Sequence, residues 1–229
     1  MLHNLMVRIF PSFMGYTIKP KGLGYFNAKA VVKQARHAGL SVTEYLENSN
    51  LGGVGKRRDE IINALQERKV LYPCKKIVEI GAGTGMYLEK FIEICKPDVY
   101  EIYETDKGWT KYLKKTYSHK TRLKVHNAEG DSLRDTADNS ADIISAHGVF
   151  VYLPLIHTFQ YLQEAVKICS QNGLIIFDFF SDRIFTVSEV LAFKKKNPQY
   201  DFPVIPFQGI HAKIKMGNYY NPCFIKIIC

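Results

Sequence analysis

The sequence predicts an α/β protein built on a doubly wound, mostly parallel sheet. Three observations carry that expectation. Ile77-Val78-Glu79-Ile80 is a short apolar run rich in β-branched residues, the pattern of a strand buried on both faces. From Lys76 onward apolar runs of strand length alternate with amphipathic segments of helix length, which implies crossover connections between parallel strands. The runs also end in small or polar residues, namely Gly81, Glu104, Asn127 to Gly130 and Ala146 to Gly148. In such sheets ligands bind at the carboxyl ends of the strands, so these residues are expected to face one crevice.

Taken in order, residues 1 to about 23 read as an irregular arm, since Pro20, Gly22 and Gly24 punctuate it. Asn27 is placed to cap a helix through Ala28 to Ala38 that Gly39 stops. Ser41-Val42-Thr43-Glu44 has the capping-box spacing and starts a second short helix. A glycine-rich stretch, Ser49 to Gly55, then serves as a linker or as a lid over a ligand. Lys56-Arg57-Arg58 opens a helix with Ile61, Ile62 and Leu65 on one face; the two arginines are read as a solvated first turn or as contacts for an anionic substrate. The expected division is an N-terminal arm and helical cap over 1–55 and the α/β domain over 56–229.

Within that domain the expected elements are strand 77–81, helix 86–95, strand 99–104, helix 108–117, strand 122–126, strand 141–147, helix 156–170 and strand 174–180. The segment around Asp131 to Asn139 is too short for a full helix and is read as a loop or turn. The helix after residue 155 is expected to carry Phe159, Leu162, Val166 and Cys169 on its apolar stripe. A further helix is expected around 184–195. His211 to Met216 alternates like a strand, with Phe224 to Ile228 as its partner, giving a shortened C-terminal edge.

At 229 residues, with 46% hydrophobic and 23% charged, the chain can bury a sizeable core. A net charge of +9 and a pI near 9.2 suit an anionic partner, although a solvated basic surface explains the same numbers. Five scattered cysteines, none in a C-x-x-C, argue against a disulfide framework or a structural zinc and for a reducing, cytoplasmic setting. No apolar run reaches the ~18 residues of a spanning helix, and the N-terminal apolar run is too interrupted for a secretion signal.

The chemistry is concentrated at Gly81-Ala82-Gly83-Thr84-Gly85, where the first strand turns into a helix. The dinucleotide fingerprint asks for Gly or Ala at position 86, which is Met, and the phosphate loop needs a Gly-Lys-Ser/Thr ending that is absent. What stands is G-x-G-x-G behind an acid, Glu79, with a second acid, Glu104, at the next strand end. An acid roughly 20 residues beyond the turn marks a nucleoside ribose in either kind of site. With these motifs the chain resembles the class I S-adenosylmethionine-dependent methyltransferases, which have a Rossmann-like, seven-stranded-type sheet. The resemblance covers about residues 57–182 and weakens on both sides.

The resemblance implies that Glu79, Gly81, Ala82, Gly83 and Gly85 surround the methionine end of S-adenosyl-L-methionine and that Glu104 accepts from the ribose hydroxyls. Asn127-Ala128-Glu129-Gly130 resembles the family's acidic-plus-small pair, so Glu129 is matched to the adenine amine, with Gly130 beside it and Asp131 as a rival acid. The strand Ala141 to Ala146 and its exit through His147, Gly148, Val149, Phe150, Val151 and Tyr152 resembles the segment where relatives place donor- and substrate-facing residues. For a hydroxyl acceptor His147 is the first candidate general base, because its unperturbed pKa lies near neutrality; Tyr152 and His157 follow. His147 is equally read as a support for the donor.

Several classes are disfavoured. Amino-methylating DNA enzymes resemble one another in a D/N-P-P-Y/F segment where this chain has His147-Gly148-Val149-Phe150. Cytosine C5 enzymes need a Pro-Cys nucleophile there, and the pairs Pro73-Cys74 and Pro222-Cys223 lie elsewhere. No Asp/Asn cluster suggests a catechol-type metal site. The densest basic stretch, Lys111 to Lys124 with Tyr112 and Tyr117, offers an RNA surface but has the spacing of a helix's wet face. The reading is a methyltransferase for a small-molecule acceptor, a sugar-like or other hydroxylated metabolite, with the basic charge suiting an anionic one. An RNA or protein methyltransferase, a non-catalytic donor-binding module and a weaker NAD(P)-dependent oxidoreductase are the alternatives.

Overall fold

A computed structural model describes residues 16–18, 24–49, 54–128, 130, 132–150, 153, 155–178, 195, 204–205, 209–210 and 227–228. The central sheet comprises β3 (Lys76–Ile80), β4 (Val99–Glu104), β5 (Arg122–Asn127), β6 (Ala141–Ala146), β7 (Cys169–Phe177) and β10 (Ile227–Ile228), in the order β10-β7-β6-β3-β4-β5. The pairings from β7 to β5 are parallel, and β10 pairs antiparallel with β7. The chain leaves β3 toward β4 and β5, then returns to the other flank for β6 and β7. The strand order therefore reverses between β3 and β6, and it is at such a switch point that sheets of this kind bind ligands in a crevice at the carboxyl ends.

One face of the sheet packs on helices α3 (Val54–Glu67), α4 (Met86–Cys95) and α5 (Lys107–Tyr117) through a core of Ile61, Leu65, Leu88, Phe91, Tyr100, Ile102 and Leu113. The other face packs on α6 (Leu155–Ile168) through Val78, Ile80, Ile144, Tyr161, Ala165 and Ile175. Alternate residues of each strand feed the two cores, as a doubly covered sheet requires.

The crossover from β5 to β6 contains turns and no helix among its described residues, as expected from its length. Polar ties hold it instead. Thr136 Oγ1 donates to Glu101 Oε2 at 2.6 Å, and Tyr103 Oη donates to the Leu133 carbonyl at 3.0 Å. Glu101 is almost fully buried and ion-pairs with Lys76 at 3.0 Å and Lys124 at 2.9 Å. Burial works against its charge, but His126 at 3.6 Å and the close polar contacts of Thr136, Lys124 and Lys76 outweigh it and hold the carboxyl well below the usual range.

The N-terminal helices form as their caps predict. Asn27 accepts the Ala30 N–H at the start of α1 (Ala28–His37), and Ser41 and Glu44 complete the capping box of α2 (Val42–Asn48). Their apolar faces close over Trp109 of α5, whose Nε1 donates to the Phe26 carbonyl at 3.0 Å. The irregular arm is partly corrected: β1 (Tyr16–Ile18) pairs antiparallel with β2 (Gly24–Phe26) around the predicted turn residues.

Three further expectations change. Phe159 and Val166 are about half exposed, at 53% and 48%, while Tyr161, Ala165 and Ile168 face the core, so the buried stripe of α6 is rotated from the predicted one. That helix ends at Ile168 rather than 170, and β7 begins at Cys169, with Asn172 taking positive φ just before Gly173. Arg58 is buried and ion-paired with Glu47 at 3.1 Å and Asp59 at 2.8 Å, so it is neither a solvated first turn nor a free substrate contact. Short pieces β8 (Val204–Ile205) and β9 (Gly209–Ile210) pair with each other. The expected strand over 211–216 lies outside the described residues, as does the expected helix over 184–195 except for Lys195.

Candidate functional site

Gly81 to Gly85 form the turn from β3 into α4, and all three glycines have positive φ. Their reasons differ. A Cβ on Gly81 would lie 2.6 Å from Val149 Cγ2, and one on Gly85 would lie 2.8 Å from both Leu113 and Tyr117. Those two glycines are required by the protein's own packing. At Gly83 the nearest atom to a Cβ is the Gly81 carbonyl oxygen at 3.9 Å, so the backbone there is open to a ligand. Ala82 is buried in the sheet–helix core beside it.

Glu104 closes the turn from the neighbouring strand. Its Oε2 accepts the Gly83 N–H at 2.8 Å and its Oε1 accepts the Asp106 N–H at 2.8 Å. Burial raises its pKa, the two backbone N–H groups oppose that rise, and the Asp106 charge adds to it. Asp106 caps α5 by accepting from Gly108 and Trp109. Beneath the turn, Glu79 is buried and accepts from Tyr100 Oη at 2.8 Å. Burial pushes its carboxyl up to about 8 against the Tyr100 hydrogen bond, with the Glu104 charge adding to the rise. Glu79 is therefore a neutral acid under the turn near pH 7.

His147 leaves the tip of β6 and stacks on Tyr87 in the first turn of α4, with centroids 4.1 Å apart and planes 14° apart, and more loosely on Phe91. Neither ring nitrogen has a hydrogen-bond partner among the described residues. Burial lowers its pKa to about 4, partly offset by Asp178. Asp178, which follows β7, is buried and accepts the Gly148 N–H at 2.7 Å through Oδ1. It was not foreseen from sequence, although an acid ending the apolar run Leu174 to Phe177 was a visible signal. Val149 then seats against Gly81, joining the exit of β6 to the glycine turn.

The structure thus brings Glu79, Gly81, Ala82, Gly83, Gly85, Glu104 and His147 around the tips of β3, β4 and β6. Gly130 lies beyond β5 with φ 103°, and the Ala128 N–H donates to the Glu104 carbonyl at 3.1 Å. Glu129, Asp131 and Tyr152 lie outside the described residues. His157 sits on α6, its Nδ1 3.1 Å from Gln160 Oε1. Among the described residues no cluster of His, Cys, Asp and Glu could hold a metal ion.

Residues 78–177, from within β3 to the end of β7, match a family described as "Methyltransferase domain". By this match the segment is a methyltransferase domain. The methyltransferase domain therefore takes S-adenosyl-L-methionine as its cofactor, and its sheet is the Rossmann-like one the motifs implied. No curated protein matches the sequence. Among solved structures the chain is similar to a SAM-dependent methyltransferase from Aquifex aeolicus (14% identity, TM-score 0.43, covering 54% of this chain and 71% of that one). It is also similar to one from Archaeoglobus fulgidus (17%, TM-score 0.44, covering 66% and 64%). A third is phosphoethanolamine N-methyltransferase 1 of Haemonchus contortus (14%, TM-score 0.46, covering 66% and 32%), so the chain spans about a third of that protein.

The residues present fit the cofactor. Gly83 offers an open backbone, Glu104 retains acceptor capacity on oxygens that each use one N–H, and His147, just past the tip of β6, has two buried ring nitrogens without a partner among the described residues. Among the described residues no helix is long and apolar enough to cross a membrane.

Proposed function

We propose that the chain transfers a methyl group from S-adenosyl-L-methionine to a hydroxyl of a small, polar metabolite in the cytoplasm. The observation that carries this reading is the turn itself: Gly83 presents open backbone at the switch point while Glu104 braces it from β4. In this reading Gly81 to Gly85 hold the methionine end, Glu104 the ribose and the segment through Glu129 and Gly130 the adenine. The bound cofactor supplies an electrophilic methyl on a sulfonium, so the protein's task is to align the acceptor and exclude water.

His147 enters this chemistry as a neutral imidazole. With a pKa near 4 it accepts a hydrogen bond or a proton at pH 7 without first having to lose one, but it is a weak base. It therefore orients a ligand group at the methyl end more than it drives deprotonation. Glu79 stands beneath the turn, where its neutral state at pH 7 spares the crevice a second fixed negative charge.

A small acceptor is favoured over RNA by the state of the basic residues. Lys120 and Lys124 are ion-paired with Glu89 and Glu101, and Lys111, Lys114 and Lys115 lie along α5, a helix that flanks the sheet. The net charge of +9 then suits an anionic metabolite. The test is transfer of labelled methyl to a metabolite pool, to RNA and to protein. Label in a low-mass product, at a rate insensitive to salt, is expected. Label only in RNA or protein, with steep salt dependence, overturns the acceptor class, and donor binding with no labelled product overturns catalysis.

A further inference from the structure

Two helices that pack on each other, α1 and α5, carry cations on their exposed faces and contain no acid. On α1 the exposed Lys29, Lys33 and Arg36 follow at i, i+4 and i+7 and so form one stripe, away from the buried Ala28, Val31 and Ala35. On α5 the exposed Lys107, Lys111, Lys114 and Lys115 repeat that spacing. The helices meet where Gly108 passes Ala28, so closely that a Cβ on the glycine would lie 2.9 Å from the alanine Cβ, and where Trp109 joins the core of α1.

These cations are unlike the others on the surface. Among the described residues none of their side chains has an ion-pair or hydrogen-bond partner, whereas Arg58, Lys90, Lys120 and Lys167 each meet an acid. Like charges three and four apart repel along a helix, and Lys107 stands in the first turn of α5 against the helix dipole. Helix stability therefore does not account for the pattern. An anionic partner would offset the repulsion.

The chemistry of the surface separates the anionic partners. Nucleic acid that binds through stacking needs exposed aromatic rings, but α1 has none, and on α5 Trp109 and Tyr117 are buried and Tyr112 is half-buried. All the cations but Arg36 are lysines, compact point charges suited to a diffuse negative surface more than to the forked recognition of single phosphates. No Asp or Glu occurs in the sequence before Glu44, and ahead of β1 Leu2, Leu5, Val7, Ile9 and Phe10 surround Arg8. Apolar and basic residues without acids are the composition favoured at an anionic lipid interface.

We propose that α1 and α5 are a docking surface for a membrane bearing anionic lipids. α5 starts at the rim of the crevice, two residues after Asp106 follows Glu104 and Thr105, and runs back along the sheet, so Lys111, Lys114 and Lys115 lie away from the donor site. Docking holds the enzyme at the lipid surface by charge and leaves S-adenosyl-L-methionine binding unchanged.

The test is cosedimentation of the full-length protein with vesicles of phosphatidylcholine alone and of phosphatidylcholine with about 30% phosphatidylserine. Binding is expected only to the anionic vesicles, weakening as salt rises. Two triple variants, Lys29→Gln/Lys33→Gln/Arg36→Gln and Lys111→Gln/Lys114→Gln/Lys115→Gln, are each expected to bind those vesicles roughly 100-fold more weakly. Both should keep the wild-type melting temperature and affinity for S-adenosylhomocysteine, because the replaced side chains are exposed and unpaired. Wild-type protein that does not bind the anionic vesicles, or either variant binding them as the wild type does, overturns the proposal. Tighter wild-type binding to duplex or single-stranded RNA than to the vesicles at the same salt also overturns it, in favour of a nucleic-acid surface. Vesicle binding is read without donor or acceptor, so its outcome stands apart from the functional assignment.

Discussion

Glu104 and Gly83 are joined by a 2.8 Å hydrogen bond from the glycine N–H to Oε2, which makes the acid at the end of β4 a brace for the turn after β3 as well as a candidate ribose acceptor. Removing this side chain should harm two properties together. Glu104→Ala is expected to weaken binding of S-adenosylhomocysteine by about 10- to 100-fold, the equivalent of ~1.5–3 kcal/mol of charge-assisted hydrogen bonds. Titration calorimetry checks the affinity, and unchanged binding would remove Glu104 from the site.

The three glycines should separate by mechanism. Gly81→Ala and Gly85→Ala place a methyl within 2.6–2.8 Å of Val149, Leu113 or Tyr117 in addition to adopting a left-handed backbone. Gly83→Ala incurs only the left-handed conformation, costing roughly 1–2 kcal/mol, but fills the open face of the turn. Denaturant melts should rank Gly83→Ala as the mildest for stability, while donor titrations should still show it impaired.

Two buried groups give opposite pH dependences. His147 is neutral in the folded protein down to about pH 4 and titrates near 6.5 when unfolded, so its contribution is complete above pH 6.5 and is lost as pH falls toward 4. Glu79 stays protonated in the fold up to about pH 8 but ionises near 4.5 when unfolded. Its contribution is therefore present below pH 4.5 and fades as pH rises through 8. Glu79→Gln keeps an acceptor for Tyr100 and should stabilise the protein at pH 8 by roughly 3–5 kcal/mol relative to wild type, with little change at pH 4.5. Urea unfolding at the two pH values makes the comparison.

The rotated face of α6 is open to a direct check. Phe159→Ser is expected to cost about 1 kcal/mol, because half of the ring is already in water. Tyr161→Ala should cost about 3–5 kcal/mol, because that ring is buried against β6 and β7 beside Phe150. The reverse ranking in thermal or chemical melts would restore the stripe expected from sequence.

Much of this architecture was legible because local chemistry and global packing agree. The Asn27 cap, the Ser41–Glu44 box and the alternation from Lys76 to Phe177 are short-range signals, and each produced its element. The turn at 81–85 was legible as a ligand site, but the separate reasons for its glycines were not, since Val149, Leu113 and Tyr117 approach it only in three dimensions. Arg58 looked solvated because its partner Glu47 comes from another helix. The phase of α6 was misread because Phe159 and Val166 are as apolar as the residues that face inward, and hydrophobic spacing cannot rank two apolar stripes on one helix. His147 stood out by residue type, but its stacking on Tyr87 and its depressed pKa belong to the fold.

The central claim, that the crevice between β3 and β6 is built for a sulfonium nucleoside, is tested most directly by a thermal shift with S-adenosylhomocysteine set against a nicotinamide dinucleotide at equal concentration. At about 100 times the dissociation constant, S-adenosylhomocysteine should raise the melting temperature by roughly 5–10 °C, the equivalent of ~2.7 kcal/mol, and the dinucleotide should leave it unchanged. A shift from the dinucleotide alone, or from neither compound, would contradict the account.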